Sequence, residues 1–148
     1  MRRGTGVLLA AAMCFALLPR ADAAEVTVSA QSAVLMEAES GRVLYAKDAD
    51  TPRLIASTTK LMTALVALES GHSLEEDVTI PAEAAGVEGS SLYLKTGETV
   101  KLKTLLYGML LHSGNDAATA VALTCAGSLK AFAQKMNEKA QHAWLCRS

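Results

Sequence analysis

A serine and a lysine, Ser57 and Lys60, stand three residues apart at the start of an apolar run. On a helix, residues at positions i and i+3 share one face, with Cβ atoms roughly 5–6 Å apart. A hydroxyl beside an amine can perform nucleophilic catalysis without histidine. The hydroxyl attacks, and the amine accepts its proton if burial or a neighbouring cation keeps that amine partly neutral. The pair therefore predicts a serine nucleophile with a lysine base.

A second polar group, Ser113-Gly114-Asn115, interrupts two segments that have apolar residues at helical spacing. A polar tripeptide between two apolar helices is well placed to present a hydroxyl and an amide to a cleft. Ser113 would then relay a proton between Lys60 and a leaving group. Asn115 would hold the lysine and a substrate amide by hydrogen bonds. This functional interpretation requires the two polar groups to meet in the folded protein.

Both patterns also have an ordinary structural explanation. Ser57 can cap a helix, because serine satisfies unpaired N–H groups at a helix start, and Lys60 can be solvated one turn later. Gly114 can end one helix while Asn115 caps the next. A Ser-x-x-Lys spacing arises by chance about once in a few hundred residues. Spacing alone therefore leaves both interpretations open.

The rest of the chain predicts the elements that carry these groups. Residues 33–38 and 42–46 flank the turn sequence Glu39-Ser40-Gly41, a pattern typical of a β-hairpin. Residues 74–100 are predicted as short strands and turns. Apolar spacing predicts four helices: a central one from Ser57 or Thr58, as its cap, to Ser70-Gly71, then 104–112, 116–123 and 128–140.

The N-terminus has the three parts of a secretory signal peptide. Arg2 and Arg3 give a basic start, residues 7–18 are apolar, and Ala21-Asp22-Ala23 fits the small-x-small pattern of a cleavage site. An apolar run of 12 residues is short for a bilayer span. We therefore expect residues 1–23 to be removed and the mature protein to be exported, to the cell envelope or the periplasm.

Composition and charge exclude several classes of protein. The net charge of −1 gives no electrostatic reason to expect nucleic-acid binding. No segment after the N-terminal run is long and apolar enough for a membrane helix, and no Cys/His cluster has metal-ligand spacing. Cys125 and Cys146 are two cysteines of an exported chain, but their spacing does not decide whether they pair.

Taken in order, Ser57-Thr58-Thr59-Lys60 and Ser113-Gly114-Asn115 resemble the low-molecular-mass penicillin-binding proteins. These are the serine-type D-alanyl-D-alanine carboxypeptidases of bacterial cell walls. The resemblance covers roughly residues 34–141. It includes the hairpin sequence at 36–45, the segment Gly89-Ser90-Ser91-Leu92-Tyr93-Leu94, and Asp116-Ala117-Ala118 after the second motif.

The resemblance implies an α+β fold of the penicillin-binding and β-lactamase-like transpeptidase type. In that fold an antiparallel sheet is flanked by helices, and the cleft lies between the sheet and a helical subdomain. Ser57 would be the acylated nucleophile, Lys60 its general base, Ser113 part of the proton relay and Asn115 a substrate-binding residue. The substrate would be the D-Ala-D-Ala end of a peptidoglycan stem peptide, and β-lactams would acylate the same serine. No metal or organic cofactor is implied.

The chain also departs from that family. Its members carry a Lys-Thr-Gly triplet on a strand after the Ser-x-Asn motif, whereas Lys95-Thr96-Gly97 precedes it and is predicted to be a turn. Residues 142–148 do not resemble the family and suggest a frameshift. We expect residues 24–141 to form the N-terminal part of the catalytic domain, truncated before its C-terminal strands. Such a domain would have an exposed hairpin edge and weak or no activity.

Several other interpretations remain. A class A β-lactamase shares Ser-x-x-Lys but typically has Ser-Asp-Asn at the second motif. A non-catalytic peptidoglycan-binding remnant and a product that does not fold are further alternatives. A histidine mechanism is disfavoured, because Gly114 should break a helix between His112 and Asp116 and no Gly-x-Ser-x-Gly elbow is present.

Overall fold

The computed structural model describes residues 26–142, and the chain divides after Pro52 into two units. The first unit holds the hairpin that the sequence predicts. Strand β1 (Ala33–Met36) pairs antiparallel with β2 (Val43–Lys47), with a register shift between Leu35 and Met36. The Glu37 carboxylate accepts hydrogen bonds from backbone amides of the turn. Among the described residues this sheet has two strands, β1 and β2.

The second unit contains the four predicted helices and a second small sheet. The strands β3 (Asp77–Thr79) and β4 (Thr99–Lys101) pair antiparallel within the region predicted as short strands and turns. The helices are α1 (Thr59–Leu68), α2 (Leu102–Leu111), α3 (Asn115–Ala126) and α4 (Leu129–His142). The predicted α+β class is therefore confirmed, with helix ends that differ from the prediction by one to three residues.

The core of the second unit forms around α3, which packs against α1, α2 and α4. Its contact face consists of small side chains, and Ala117, Ala120 and Val121 are fully buried. Small residues at a helix contact allow the axes to approach closely. Larger buried side chains fill the surrounding space: Val78, Ile80, Leu102, Leu105, Met109 and Phe132. The N-terminus of α3 is thus set in a packed core, which fixes the position of the residues that begin it.

The predicted side-chain caps are wrong. A short 3₁₀ turn, Ala56–Thr58, precedes α1, and neither Ser57 nor Thr58 caps the helix. Thr58 already has helical φ and ψ of −61° and −22°, whereas a capping residue usually needs an extended backbone to reach the free amides. Its hydroxyl donates instead to the Ile55 carbonyl. At α3 the cap position belongs to Gly114, which has no side chain, so Asn115 is the first helical residue rather than the cap.

Several large apolar side chains lie exposed on the described surface. Leu61, Leu65 and Leu68 of α1 follow the helical repeat, and Tyr107 and Leu110 of α2 are exposed as well. A groove of about 250 Å³ runs beside Leu68, Leu74 and Tyr107. Within residues 26–142, no helix combines the length and the apolarity that a membrane span needs.

Candidate active site

Ser57 and Lys60 lie on one side of the start of α1, as their spacing predicts. Ser57 belongs to the 3₁₀ turn and is exposed, whereas Lys60 is the second residue of the helix and only 9% exposed. The Lys60 Nζ lies 3.4 Å from the Ser57 Oγ. A lysine this deeply buried needs hydrogen-bond acceptors around its amine. The residues of the Ser113-Gly114-Asn115 segment supply them.

Ser113 closes a triangle of three polar atoms. Its Oγ accepts a hydrogen bond from Lys60 Nζ at 2.9 Å and donates to the Ser57 Oγ at 2.7 Å. In this state both hydrogen bonds to the Ser57 Oγ are donated to it. With a neutral amine and both hydroxyl hydrogens turned the other way, the same contacts give a proton on Ser57 two routes to Lys60: directly across 3.4 Å, or through the Ser113 hydroxyl by two shorter steps. Both routes use contacts that are within or near ordinary hydrogen-bond reach.

The break between α2 and α3 is made by Ser113 itself. Ser113 has a φ of 56°, in the left-handed region that non-glycine residues seldom occupy. The sequence suggested that Gly114 would provide this break, but Gly114 has an ordinary φ of −59°. The strained conformation turns both the Ser113 hydroxyl and its carbonyl towards Lys60, whose Nζ donates to that carbonyl at 2.6 Å. Strain of this kind is often retained where function requires it.

Asn115 contacts Lys60 from the other side. Its Oδ1 accepts from Lys60 Nζ at 2.7 Å, and its Nδ2 donates to the Glu88 carbonyl at 2.7 Å. The two contacts together fix which way the amide points. One of the two Nδ2 hydrogens faces Glu88, and the other is left for a further acceptor.

The acceptors around Lys60 divide into two kinds. The Ser113 carbonyl and the Asn115 Oδ1 accept only, and they lie closest to the amine. The hydroxyls of Ser57 and Ser113 can accept or donate. In its neutral form the amine can therefore give two protons to the carbonyl-type acceptors and direct its lone pair at the hydroxyls. This arrangement suits a base that takes a proton from Ser57.

Asp116, next to Asn115, is a member of this region that the sequence interpretation missed. Its side chain is 0% exposed, and its carboxylate accepts hydrogen bonds from Ser91, Leu92, Leu94 and Ala117. Burial alone would raise the pKa of Asp116, but the hydrogen bonds outweigh it, so its pKa is below the usual range. An acidic residue before an apolar Ala-rich run was the one sequence signal that could have found it.

The surroundings of the four predicted residues are open to solvent. A depression of about 330 Å³ is lined by Ser57, Lys60 and Ser113, and another of about 400 Å³ by Ser57, Lys60 and Asn115. A substrate could thus approach the Ser57 hydroxyl. Within residues 26–142, no three side chains of the usual acidic, His or Cys types come together to hold a metal ion.

Two other sequence patterns, the Lys-Thr-Gly triplet and the possible His112–Asp116 pair, can be compared with the structure. Lys95-Thr96-Gly97 is a turn, as predicted: Gly97 has a φ of 80°, and the Glu98 amide donates to the Lys95 carbonyl at 3.0 Å. His112 is exposed, while the Asp116 carboxylate is buried among the amides of the 91–94 segment. Within residues 26–142, His112 and Asp116 therefore do not form a catalytic pair beside Ser57.

Comparisons with known proteins agree on one family. The model of the D-alanyl-D-alanine carboxypeptidase family matches residues 19–145. D-alanyl-D-alanine carboxypeptidase DacF of Bacillus subtilis (strain 168) is 36% identical over 98% of this chain and 40% of its own length. The D-alanyl-D-alanine carboxypeptidase of Streptomyces sp. (strain K15) is 38% identical over 95% of this chain and 52% of its own.

Solved structures give the same result for the fold. The D-alanyl-D-alanine carboxypeptidase DacD from Francisella tularensis superposes with a TM-score of 0.76 and 35% identity, over 80% of this chain and 30% of that one. The D-alanyl-D-alanine carboxypeptidase from Mycobacterium tuberculosis H37Rv superposes with a TM-score of 0.76 and 31% identity, over 84% and 46%. This chain thus spans about half or less of the length of these relatives. Since the family model covers most of this chain, the chain belongs to the D-alanyl-D-alanine carboxypeptidase family.

Proposed function

We propose that the protein is a serine-type D-Ala-D-Ala carboxypeptidase that removes the terminal D-alanine from peptidoglycan stem peptides. The observation that carries the proposal is the triangle formed by the Ser57 Oγ, the Ser113 Oγ and the Lys60 Nζ, with sides of 2.7, 2.9 and 3.4 Å. Membership of the carboxypeptidase family supports this choice of reaction. The chain spans 40% of the length of the Bacillus relative, whose name gives the same carboxypeptidase activity.

Acylation begins when the Ser57 Oγ attacks the carbonyl of the penultimate D-alanine. The Ser57 proton passes to Lys60, directly or through Ser113, because the hydroxyls and the amine are already hydrogen-bonded. The tetrahedral adduct then breaks its C–N bond, and the departing D-alanine amine takes a proton back from the relay. An ester between Ser57 and the shortened peptide remains.

Deacylation uses the same groups with water as the nucleophile. Water gives a proton to the relay, attacks the ester carbonyl, and releases the Ser57 hydroxyl with its proton restored.

Asn115 contributes in two ways. Its Oδ1 holds Lys60 in place, and the second Nδ2 hydrogen binds a carbonyl of the substrate peptide.

The same nucleophile would be acylated by β-lactams, whose strained amide presents a carbonyl to Ser57. Both the stem peptide and the wall lie outside the cytoplasm, which fits an exported protein. The predicted signal peptide at residues 1–23 and the tail at 142–148 lie outside the described residues apart from His142, and the predicted division into 1–23, 24–141 and 142–148 stays a prediction.

Two assays on the purified chain test the proposal. The first is intact mass after incubation with benzylpenicillin, and the second is D-alanine release from a tripeptide ending in L-Lys-D-Ala-D-Ala. A matched tripeptide ending in L-Ala-L-Ala is the control. The proposal predicts one penicillin per chain, slow release of that adduct, and D-alanine only from the D,D-peptide, at the low rate that the sequence leads us to expect.

The outcomes separate the alternatives. Rapid turnover of penicillin without D-alanine release would overturn the carboxypeptidase proposal in favour of a β-lactamase. Binding of the stem peptide without an adduct or D-alanine release would overturn it in favour of a non-catalytic binding protein. A chain without a cooperative thermal transition would also contradict the proposal, because the relay geometry requires a folded core.

A further inference from the structure

We propose that Asp116 is a positioning residue, whose carboxylate holds the segment 88–94 against the start of α3 so that this segment orients the Asn115 amide towards Lys60. The kinetic part of this inference rests on the function proposed above. The structural part does not, because it concerns how one loop is attached. The segment 88–94 includes the Gly89–Leu94 sequence that resembles the family but has no role in the proton relay.

The first attachment is polar. The Asp116 Oδ2 accepts from the Ser91 hydroxyl at 2.7 Å and from the amides of Leu92 and Leu94 at 3.0 Å each. Its Oδ1 accepts from Leu92 at 3.0 Å and from the Ala117 amide at 2.8 Å. One buried carboxylate thus joins α3 to three donors of the segment 91–94, the Ser91 hydroxyl and the backbone amides of Leu92 and Leu94. Only an acceptor with two charged oxygens can satisfy this many donors.

The second attachment is apolar. The Leu92 side chain lies in a slot between Gly108 of α2 and Gly114. A Cβ at position 108 would lie 2.1 Å from a Leu92 methyl carbon, and a Cβ at position 114 would lie 3.1 Å from the Leu92 Cγ. Glycine at these positions therefore leaves the space that Leu92 occupies. The hydrogen bonds that the Leu92 and Leu94 backbone amides donate to Asp116 hold the backbone next to this contact.

The backbone at Tyr93 shows that the segment is held rather than relaxed. Tyr93 has a φ of 60°, a conformation that costs a bulky residue free energy. Its side chain is 86% exposed, so burial of the ring does not explain the conformation. The residues on both sides, Leu92 and Leu94, donate their amides to the same Asp116 oxygen. The Tyr93 amide donates to the Ser91 Oγ at 3.0 Å, and that hydroxyl donates to Asp116, so Asp116 keeps Tyr93 in this geometry directly through its neighbours and indirectly through Ser91.

The segment transmits its position to Asn115 through two backbone carbonyls. The Glu88 carbonyl accepts a hydrogen bond from the side-chain Nδ2 of Asn115 at 2.7 Å. The Ser90 carbonyl accepts one from the backbone N–H of Asn115, also at 2.7 Å. Gly89 lies between them with a φ of 90°, and a Cβ there would lie 2.7 Å from the Asn115 Nδ2. With Nδ2 held by Glu88, the opposite atom of the amide, Oδ1, faces Lys60.

The test begins with Asp116→Asn, which keeps the shape but replaces one acceptor oxygen with a donor. That nitrogen faces backbone amides, so the segment 91–94 should detach and the Asn115 amide should lose its fixed orientation. The acylation rate constant for benzylpenicillin is expected to fall about 10- to 100-fold, with a smaller change in the affinity of the initial complex. Ser91→Ala removes one donor to Asp116 and the acceptor of the Tyr93 amide, but leaves the Leu92 and Leu94 amides bonded to Asp116. It should therefore show a smaller fall, and it keeps the test decisive if Asp116→Asn does not fold.

A double-mutant cycle separates positioning from general destabilisation. In an Asn115→Ala background there is no amide to orient, so Asp116→Asn should have little further effect on acylation. Val78→Ala, in the buried part of β3, is the matched control: it should lower the unfolding temperature and leave the acylation rate unchanged. An equal loss from Asp116→Asn in both backgrounds, or no loss in either, would overturn the proposal.

A readout without penicillin keeps this test independent of the proposed function. In wild-type protein the Asn115 side-chain amide should give a dispersed NMR resonance, and the Leu92 and Leu94 amides should exchange slowly with deuterium. Asp116→Asn should shift that resonance and accelerate both exchanges. If the resonance and the exchange rates are unchanged, the positioning role is wrong, whether or not the chain reacts with penicillin. If wild type shows no adduct but these changes occur, the proposed function alone fails.

Discussion

Replacing Lys60 with arginine should separate the charge of this residue from its capacity to accept a proton. Arginine retains a cation that can donate to the Ser113 carbonyl and the Asn115 Oδ1, which lie 2.6 and 2.7 Å from the lysine amine. A guanidinium does not give up its proton in a protein, so it cannot serve as the base for Ser57. If Lys60 only stabilised the fold or the local charge, Lys60→Arg would be a mild change.

The expected loss follows from the role of the base. Removing a positioned general base typically costs about 10²–10⁴ in rate, or about 3–5 kcal/mol of activation free energy. Lys60 is also buried, so the larger arginine head should cost roughly 1–3 kcal/mol of stability through overpacking. The rate should therefore fall by more than the change in stability can explain under conditions where the variant stays folded.

The assay is the rate of acylation by a fluorescent penicillin, followed by gel fluorescence, beside a thermal unfolding curve for each variant. Lys103→Arg is the matched control, because Lys103 is a partly exposed lysine that pairs with Glu75 at the start of α2. The fluorescent penicillin should acylate Lys103→Arg at the wild-type rate. A Lys60→Arg protein that is folded and acylates within about threefold of wild type would refute the argument that Lys60 accepts the proton.

Three further predictions concern stability and reactivity. Because the pKa of Asp116 is lowered in the folded protein, its carboxylate stabilises the fold at pH values above the ordinary carboxyl range, and this contribution is lost as the pH falls through the lowered pKa. The free energy of unfolding, measured with urea, should therefore change less between pH 7 and pH 3 for Asp116→Asn than for wild type. Burial raises the pKa of the Cys125 thiol. Iodoacetamide at pH 8 should therefore label Cys125 at least about tenfold more slowly in native protein than in urea. Equal labelling rates would contradict the buried position of this residue. Gly108→Ala places a methyl group 2.1 Å from a Leu92 carbon, so it should lower the free energy of unfolding by about 1–3 kcal/mol and slow acylation. An unchanged unfolding midpoint would show that the space around the Leu92 side chain is wider than described.

The relay residues could be predicted because their signal is local. Ser57 and Lys60 are one helical turn apart, and Ser113 and Asn115 share one short break between helices, so each pair is visible in a few residues of sequence. The meeting of the two pairs is not local. It spans 53 to 56 residues of chain, and only the resemblance to a family suggested it before the contacts were described.

The attachment of segment 88–94 could not be predicted, for the opposite reason. The Asp116 carboxylate accepts from a hydroxyl 25 residues earlier in the chain and from backbone amides 24 and 22 residues earlier, and no periodic pattern marks a backbone donor. The capping prediction failed for a related cause. The sequence showed that Ser57 and Thr58 stand where caps are common, but the Ser57 hydroxyl is instead engaged by Ser113, a residue 56 positions away. At Ser57, a tertiary contact thus overrides the local preference for a cap.

Mass spectrometry of wild type and Ser57→Ala after reaction with benzylpenicillin shows whether Ser57 is the nucleophile. We expect that wild type gains the mass of one penicillin, that the modified peptide maps to Ser57, and that Ser57→Ala gains none while keeping its thermal transition. Ser73→Ala, in the turn before β3, should react as wild type does. A stable adduct on folded Ser57→Ala, or an adduct that maps to Ser113 in wild type, would show that Ser57 is not the nucleophile.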